Sequence, residues 1–361
     1  MRKKLIFTVT SDLTYDQRME RICAALSSEG FEVTLVGRRK RDSIALVEKS
    51  YKQRRLSCFW EKGKLFYIEY NIRLFLFLLF QKADVICAID LDTIIACYYA
   101  GRLKGWKLVY DAHEYYTEVI EVVNRPGIQK IWKAVERFFV PKYDAAYTVS
   151  ESIANIFTSS YQLRFDVIRN TPVLEEVAAY PEKGERYLIY IGVVNAGRGI
   201  EQLIRAMQYI DSKLYICGKG DVLEEMQKLV LNLGLEDKVI FLGYLRPDKL
   251  REVTRGAWLG YLLLEASSKS YYYSLANKFF DYIHAGIPQV TIDFPEYRLI
   301  NSEYKVAELV ELDVDQIVGA TNRLLTDEMY YRELSENTSK ARLKYNWQRE
   351  AEKLIDIYRT I

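Results

Sequence analysis

Short apolar runs alternate with segments of helical periodicity along nearly the whole chain. In the N-terminal half, six runs predict strands: 4–9, 31–37, 83–89, 107–112, 145–150 and 166–170. The C-terminal half contains six more: 188–192, 214–218, 238–243, 258–264, 288–293 and 306–311. Because this alternation is typical of parallel strands joined by helical crossovers, the pattern predicts an α/β fold of two Rossmann-like, doubly wound domains.

Helix signals support this alternation. Thr14 to Gln17 match a capping box ahead of an apolar stripe, and Gly30 is the expected stop of that helix. A second helix is expected from Ile200, directly after a glycine-containing loop. A third is expected from about Trp347 to Ile361.

The domain boundary is expected in the polar segment 175–186, which contains Pro181 and Gly184. We therefore predict an N-terminal domain at 1–175, a C-terminal domain at 176–345 and a crossover helix at 346–361. A chain of 361 residues is long enough to form two such cores.

Composition narrows the functional classes. The 51 basic and 49 acidic residues nearly balance, so no nucleic-acid partner is expected. Five scattered cysteines form no C-x-x-C pair, which is typical of reduced thiols in a cytoplasmic protein. The longest apolar run is far shorter than the roughly 20 residues of a membrane span, and the apolar start is too short for a signal peptide.

Two glycine-containing turns are candidate phosphate sites. The first, Gly192 to Gly199, joins a strand to a helix and contains Gly197 and Arg198. Backbone N–H groups at a helix start attract anions, and Arg198 adds a positive charge, but a tight turn without a ligand explains the glycines equally well. The second turn, Gly218-Lys-Gly220, lacks the third glycine of the dinucleotide fingerprint, and the first strand is followed by no glycine at all. A flavin or nicotinamide site in the N-terminal half is therefore disfavoured.

A second candidate segment is Asn277-Lys278-Phe-Phe-Asp281, where Asn277 is the expected N-cap of a helix. Lys278 and Asp281, three residues apart, are expected to lie close together on the first turns. A lysine in the first turn opposes the helix dipole, which favours a bound anion there. A solvated lysine is the alternative.

His113 is one of only two histidines and follows a strand in Asp111-Ala-His113-Glu114. A histidine at a strand end is well placed for a cleft, and a hydrogen-bonded histidine at a sheet edge is the alternative. Two further patterns are discounted. Asp90-Leu-Asp92 is interpreted as turn and helix-cap chemistry rather than a metal site, and the tyrosine run 271–273 as packing.

Together these segments resemble the retaining glycosyltransferases of family 4, also called group 1 glycosyltransferases. Gly192 to Gly199 is similar to their donor loop, with Arg198 in place of a lysine. Asn277 to Pro288 is similar to their N-K-x-x-E-Y-x-x-x-G-x-P signature, which is the most specific match. The resemblance covers nearly the whole chain and implies the GT-B fold, with two Rossmann-like domains facing across a cleft and the last helix crossing back to the N-terminal domain.

Several positions depart from the family pattern. Many relatives carry an arginine directly after the first glycine of the donor loop, where this chain has Val193. The family's two acids, with seven residues between them, correspond to Tyr273 and Asp281, so the first acid is missing and the second is shortened. The resemblance then implies that Arg198 and Lys278 alone neutralise the charge of the phosphates.

The resemblance implies transfer of a sugar from a nucleoside-diphosphate donor, with retention of configuration and without a metal or other cofactor. Arg198 and Lys278 would stabilise the leaving diphosphate, and His113 would contact the sugar or the phosphate. Tyr244 would lie near the base and Asp281 at the ribose. The implied donor-binding set is Gly192, Gly197, Gly199, Gly218, Tyr244, Ser274, Asn277 and Asp281.

The family implies a glycan or lipid-linked acceptor in bacterial surface polysaccharide synthesis. Residues 52–82 interleave basic and aromatic side chains with an apolar run. They predict either peripheral docking on the inner face of the cytoplasmic membrane or a core helix with a basic exposed face. Two other functions stay open: an inactive protein that binds a nucleotide sugar, and a nucleotide-sugar epimerase on the same fold.

Overall fold

The structure is a computed structural model that describes residues 2–14, 16–175 and 186–361. The chain divides into two compact units, Met1–Asn170 with Glu350–Ile361, and Thr171–Arg349. Most of the candidate linker lies outside the described residues. The boundaries of the three segments 1–175, 176–345 and 346–361 therefore stay a prediction.

The first unit is built on a seven-stranded parallel sheet of order β3-β2-β1-β4-β5-β6-β7. Its strands are β1 (Lys4–Thr8), β2 (Glu32–Arg39), β3 (Lys52–Ser57), β4 (Val85–Ile89), β5 (Lys107–Ala112), β6 (Ala145–Thr148) and β7 (Phe165–Val167). Its helices are α1 (Gln17–Ser28), α2 (Gly63–Leu79), α3 (Ile94–Lys104), α4 (Ile120–Val123), α5 (Pro126–Phe139) and α6 (Glu151–Tyr161).

The second unit is built on a six-stranded parallel sheet of order β10-β9-β8-β11-β12-β13. Its strands are β8 (Tyr187–Ile191), β9 (Lys213–Cys217), β10 (Val239–Gly243), β11 (Leu259–Leu262), β12 (Gln289–Ile292) and β13 (Ala307–Val310). Its helices are α7 (Ile200–Ala206), α8 (Leu223–Asn232), α9 (Pro247–Gly256), α10 (Lys269–Tyr272), α11 (Asn277–Ala285), α12 (Pro295–Glu303), α13 (Val314–Thr326) and α14 (Glu328–Lys344).

The second sheet is buried on both faces, as the predicted Rossmann-like architecture requires. Alternate side chains of β8 point to opposite faces: Leu188 and Tyr190 join one hydrophobic cluster, and Ile189 and Ile191 join another. The continuous apolar runs read from the sequence reflect this two-sided burial. The two parallel α/β sheets confirm the predicted fold class.

All twelve predicted strands are present, but the first sheet contains one more, the edge strand β3. It occupies the start of the segment 52–82, for which the sequence predicts a membrane-docking surface or a core helix but no strand. Its sequence Lys-Gln-Arg-Arg-Leu-Ser contains one apolar residue, because charged side chains are a common protection of sheet edges. A search for apolar runs misses such a strand.

Both helix N-caps that the sequence predicts are assigned to the wrong residue. Helix α1 is capped by Asp16, whose carboxylate accepts from the backbone N–H of Met19 at 3.1 Å. Thr14 instead accepts a hydrogen bond from Arg55, so it is not available as a cap. Helix α11 is preceded by Ala276, and Asn277 is its first residue rather than its N-cap.

The last helix, α15 (Trp347–Thr360), contacts the first unit. Its Glu350 is buried and accepts from the backbone N–H of Arg169 at 2.9 Å. Tyr358 is fully buried, and its ring lies 5.5 Å from that of Phe7 in β1. These contacts confirm that the final helix packs on the N-terminal domain.

We expect Glu350→Ala to lower the free energy of unfolding by about 2–4 kcal/mol, because it leaves a buried N–H and the Arg169 guanidinium without this carboxylate. Asp356→Ala is the matched control on the same helix, since Asp356 is exposed and its pairing with Arg359 is long. That change should cost less than about 0.5 kcal/mol. Urea unfolding measures both. Equal losses in the two variants would show that Glu350 does not anchor α15.

Candidate functional site

The loop after β8 lies where the second sheet changes direction, since β8 has β9 on one side and β11 on the other. In open α/β sheets, ligands bind outside the carboxyl ends of the strands at this position. Gly192, Gly197 and Gly199 have φ angles of 123°, 80° and 64°, which disfavour residues with a side chain. The loop therefore needs its glycines for backbone geometry, whether or not it binds phosphate.

The loops after β8 and β9 touch each other. A Cβ atom at Gly218 would overlap the carbonyl oxygen of Gly192, and one at Gly220 would overlap that of Val194. The backbone N–H of Val194 donates to the carbonyl of Lys219 at 3.0 Å. The G-x-G turn is thus explained by close packing of two loops, which shapes the candidate site.

Lys278 extends from the first turn of α11 to the loop after β8. Its Nζ atom lies 3.8 Å from the centroid of the Tyr190 ring and 3.1 Å from the position of a Cβ atom at Gly192. Burial lowers the pKa of Lys278 well below its usual range; Arg198 lowers it further, and Asp281 opposes the shift. The structure therefore brings Lys278, Arg198, Asp281 and Gly192 together.

Arg198 approaches the same place from within the loop after β8. Its guanidinium carbon lies 4.9 Å from the centroid of the Tyr271 ring, and its Nε atom is buried without a hydrogen-bond partner among the described residues. Tyr271 also lies against Gly197. Within the described parts of the chain, neither Arg198 nor Lys278 is within 4.0 Å of a carboxylate oxygen. Two cations thus share a partly buried site without a paired anion.

Tyr282, the tyrosine of the predicted signature, holds α11 in place. Its hydroxyl donates to the carbonyl of Tyr261 at 3.0 Å and accepts from the backbone N–H of Ile191 at 3.3 Å. Its ring fills the space beside Gly260, where a Cβ atom would lie 2.5 Å from it. Tyr282 is therefore a packing residue that fixes Lys278, one turn earlier, relative to the loop after β8.

The remaining predicted donor residues are Ser274, Asn277 and Tyr244. Ser274 precedes α11 and donates to the carbonyl of Tyr271 at 2.8 Å, while Asn277 is exposed at the first position of the helix. Tyr244 follows β10 and is 63% exposed. Among the described residues, no hydrogen bond, ion pair or ring contact joins Tyr244 to Lys278 or Arg198, so its role stays a prediction.

His113 lies in the first unit, after β5. Its backbone N–H donates to Asp90 Oδ1 at 2.9 Å. Burial lowers the pKa of His113 to about 3, with a smaller contribution from Arg18, so the imidazole is neutral at physiological pH. A neutral imidazole can donate or accept a hydrogen bond but supplies no positive charge.

Tyr190 is the member of the site that the sequence analysis missed. It was interpreted only as part of an apolar strand, but its ring is the contact surface for Lys278 and its hydroxyl donates to the carbonyl of Val193 at 2.8 Å. An aromatic residue two positions before a strand-end glycine is a signal that could have found it. Among the described residues, no group of three or more His, Cys, Asp or Glu side chains is arranged to hold a metal ion.

Two family models match the chain. The model for glycosyltransferase family 4 matches residues 17–171, and the model for group 1 glycosyl transferases matches residues 175–341. The chain therefore belongs to the family 4, or group 1, glycosyltransferases, as the signature residues predicted. It is 28% identical over 182 residues to an uncharacterized glycosyltransferase, MJ1607, of Methanocaldococcus jannaschii. That match spans 48% of this chain and 45% of the relative, about half the length of each.

Solved structures show the same fold. Sucrose-phosphate synthase of Thermosynechococcus elongatus has a TM-score of 0.84 at 16% identity, over 99% of both chains. Anabaena HepE in complex with UDP and glucose has a TM-score of 0.80 at 13% identity, over 100% of both chains. WaaG, a glycosyltransferase involved in lipopolysaccharide biosynthesis, has a TM-score of 0.74 at 16% identity, over 98% of this chain and 99% of its own. The chain has the GT-B fold.

We expect Gly199→Ala to lower the free energy of unfolding by about 2–4 kcal/mol, because the new Cβ would overlap Leu263 at a left-handed backbone position. Gly234→Ala is the control, since Gly234 also has a φ of 64° but has no atom within 4 Å of the new Cβ. It should cost roughly 1 kcal/mol. Urea unfolding separates the two. Equal costs would mean that the loop after β8 can move away from Leu263.

Proposed function

We propose that this chain transfers a sugar from a nucleoside-diphosphate sugar, and that Arg198 and Lys278 bind the diphosphate. The observation that carries this proposal is the pair of partly buried cations beside the glycine loop, without a carboxylate partner within 4.0 Å among the described residues. Like charges so placed destabilise the protein unless an anion is bound. A diphosphate supplies that anion with several oxygen acceptors.

The same arrangement suits the chemistry of glycosyl transfer. Breaking the anomeric C–O bond leaves positive charge on the sugar ring and adds negative charge to the departing diphosphate. Cations fixed beside the diphosphate bind the transition state more strongly than the ground state and so accelerate the step. In the proposed retaining mechanism, the leaving phosphate accepts the proton of the attacking hydroxyl on the same face of the sugar. The neutral His113 would donate a hydrogen bond to the sugar or phosphate.

The similar structures support a choice of donor and acceptor. HepE has been crystallised with UDP and with UDP-glucose, which favours a uridine donor for this chain. WaaG acts in lipopolysaccharide biosynthesis, and the similar WaaB is a lipopolysaccharide outer-core galactosyltransferase. We therefore propose a glycan or lipid-linked acceptor in bacterial surface polysaccharide synthesis. Binding of a nucleotide sugar without transfer or hydrolysis would instead identify an inactive binding protein.

A membrane surface is the proposed partner of the first unit. Helix α2 buries one face through Phe66, Tyr70, Leu74 and Leu78, but its opposite face is also apolar. The exposed large side chains in this region are Phe59, Trp60, Leu65, Ile68, Ile72, Leu76 and Phe80. A soluble helix normally carries polar side chains on that face. Within the described residues, no helix is long and apolar enough to cross a membrane.

Basic residues beside this exposed face favour an anionic membrane surface. Lys62, Lys64 and Lys82 are exposed near the two ends of α2. Their charges would lie near lipid head groups while the apolar side chains enter the boundary with the acyl chains. The alternative interpretation, a core helix with a basic exposed face, does not account for the apolar exposed side of α2. We propose that this chain works on the cytoplasmic face of the membrane, where it would meet a lipid-linked acceptor.

The donor proposal predicts that UDP binding takes up protons at pH 8.5. The terminal phosphate of UDP, with a second pKa of about 6, is already ionised there, whereas burial and Arg198 lower the pKa of Lys278 and so disfavour its charged form. The bound dianion raises the pKa of Lys278 and restores its charge. Calorimetry in two buffers of different ionisation enthalpy measures the uptake. Lys278→Met should abolish it and weaken UDP binding roughly 10- to 100-fold.

Lys269→Met is the control for this experiment, because Lys269 is exposed on the neighbouring helix α10. This variant should bind UDP with the same affinity as the unmodified protein and take up the same number of protons on binding. A Lys278→Met variant with unchanged affinity would contradict the assignment. A thermal-shift screen with UDP-, GDP-, ADP- and CMP-linked sugars identifies the base, and NMR of the anomeric proton of the product tests retention.

The membrane proposal predicts that the protein floats with vesicles containing anionic phosphatidylglycerol. Ile68→Gln combined with Ile72→Gln should reduce the floated fraction several-fold, because it removes apolar area from the exposed face of α2. Leu231→Gln combined with Leu299→Gln is the control, since both leucines are at least half exposed in the second unit. Equal flotation of the two double variants would show that α2 does not dock.

A further inference from the structure

The Asp90-Leu-Asp92 segment does not act as a helix cap. Helix α3 is preceded by Thr93, which makes no side-chain capping bond. Asp90 instead has a φ of 54°, a left-handed conformation that is rare for residues other than glycine. Since glycine would adopt this conformation without strain, an aspartate here indicates that its side chain has a role.

The Asp90 carboxylate holds the backbone that follows β5. Its Oδ1 atom accepts from the backbone N–H of His113 at 2.9 Å and from that of Glu114 at 3.3 Å. The backbone N–H of Asp90 donates to the carbonyl of Asp111 at 2.9 Å. Three hydrogen bonds therefore connect Asp90, which follows β4, to the end of β5 and to the loop that carries His113.

Asp92 makes a similar connection to the residues that follow the other neighbouring strand, β1. Its Oδ2 atom accepts from the Thr10 hydroxyl at 2.5 Å, which joins the residues after β4 to those after β1. Strands β1 and β4 are neighbours at the point where the first sheet changes direction. The two aspartates thus bridge the carboxyl ends of three adjacent strands at the position where such sheets bind ligands.

We propose that Asp90 is a positioning residue for His113: it fixes the backbone of the His113 loop so that the imidazole is held ready for the substrate. This inference rests on the proposed function, in which His113 contacts the donor. Asp90 itself touches neither sugar nor phosphate. Its two accepted hydrogen bonds restrict the loop before substrate arrives, and misplacement of a catalytic group by about 1 Å is enough to cost a large factor in rate.

Two substitutions at Asp90 separate positioning from folding. Asp90→Asn keeps an oxygen acceptor and tolerates the left-handed conformation, so it should retain transfer within about twofold. Asp90→Gly relieves the backbone strain but removes the acceptor. It should melt within a few degrees of the unmodified protein and yet lose about 10- to 100-fold in kcat, with UDP affinity unchanged.

The chain has only two histidines, which gives a readout independent of activity. In protein isotopically labelled on the histidine rings, NMR should show two ring cross-peaks, and the spectrum of the His284→Gln variant assigns them. Asp90→Gly should shift or broaden the His113 peak and leave the His284 peak unchanged, whereas Asp90→Asn should leave both in place.

The outcomes distinguish this inference from the proposed function. An unmoved His113 peak in Asp90→Gly, or full transfer by that variant when His113→Ala is inactive, overturns the positioning role alone. Full transfer by His113→Ala overturns the assignment of His113 and the positioning role together. A protein that transfers no sugar overturns the proposed function, and the histidine spectra still decide whether Asp90 holds the loop.

Discussion

The candidate site depends on the way Tyr282 fixes helix α11 against the second sheet. The tyrosine hydroxyl bonds to backbone groups of β8 and β11, and its ring occupies the space that Gly260 leaves open. One turn earlier on the same helix, Lys278 then reaches the Tyr190 ring and the Gly192 backbone. A residue that touches no substrate in the proposed mechanism thus determines where the charge proposed to bind the diphosphate lies.

The pair of cations would favour diphosphate binding in the proposed mechanism, but it lowers the stability of the free protein. Burial and the nearby Arg198 both lower the pKa of Lys278, which means that its charged form is disfavoured in the free protein. Native proteins accept such local costs at functional sites and offset them elsewhere. Here the surrounding packing is extensive, since Tyr190, Tyr261 and Tyr282 are all fully buried. The rigid environment keeps the two cations close although they repel each other.

The sequence predicted most of the fold because two-sided burial makes parallel strands almost uniformly apolar. It failed at β3, where an edge strand is polar, and at the start of α1, where Asp16 competes successfully with Thr14 for the cap. Lys278, Arg198 and the glycine loop could be recognised as a candidate site because a lysine in a first helical turn opposes the helix dipole and a glycine-containing turn precedes a helix. The roles of Tyr190 and Asp90 were missed, since they depend on contacts between segments that are distant in the sequence.

Two of the departures from the family pattern, Val193 and Tyr273, differ in their expected effect on the site. Val193 is about half exposed, and its carbonyl accepts the hydroxyl of Tyr190, so the loop keeps a defined backbone although the arginine side chain is absent. The chain therefore loses one charge at this position without losing the shape of the loop. At Tyr273 the acid of the family pattern is replaced by an aromatic ring, which removes a negative charge. Loss of one positive and one negative charge leaves the local balance unchanged, and the two remaining cations then carry the binding of the diphosphate in the proposed mechanism.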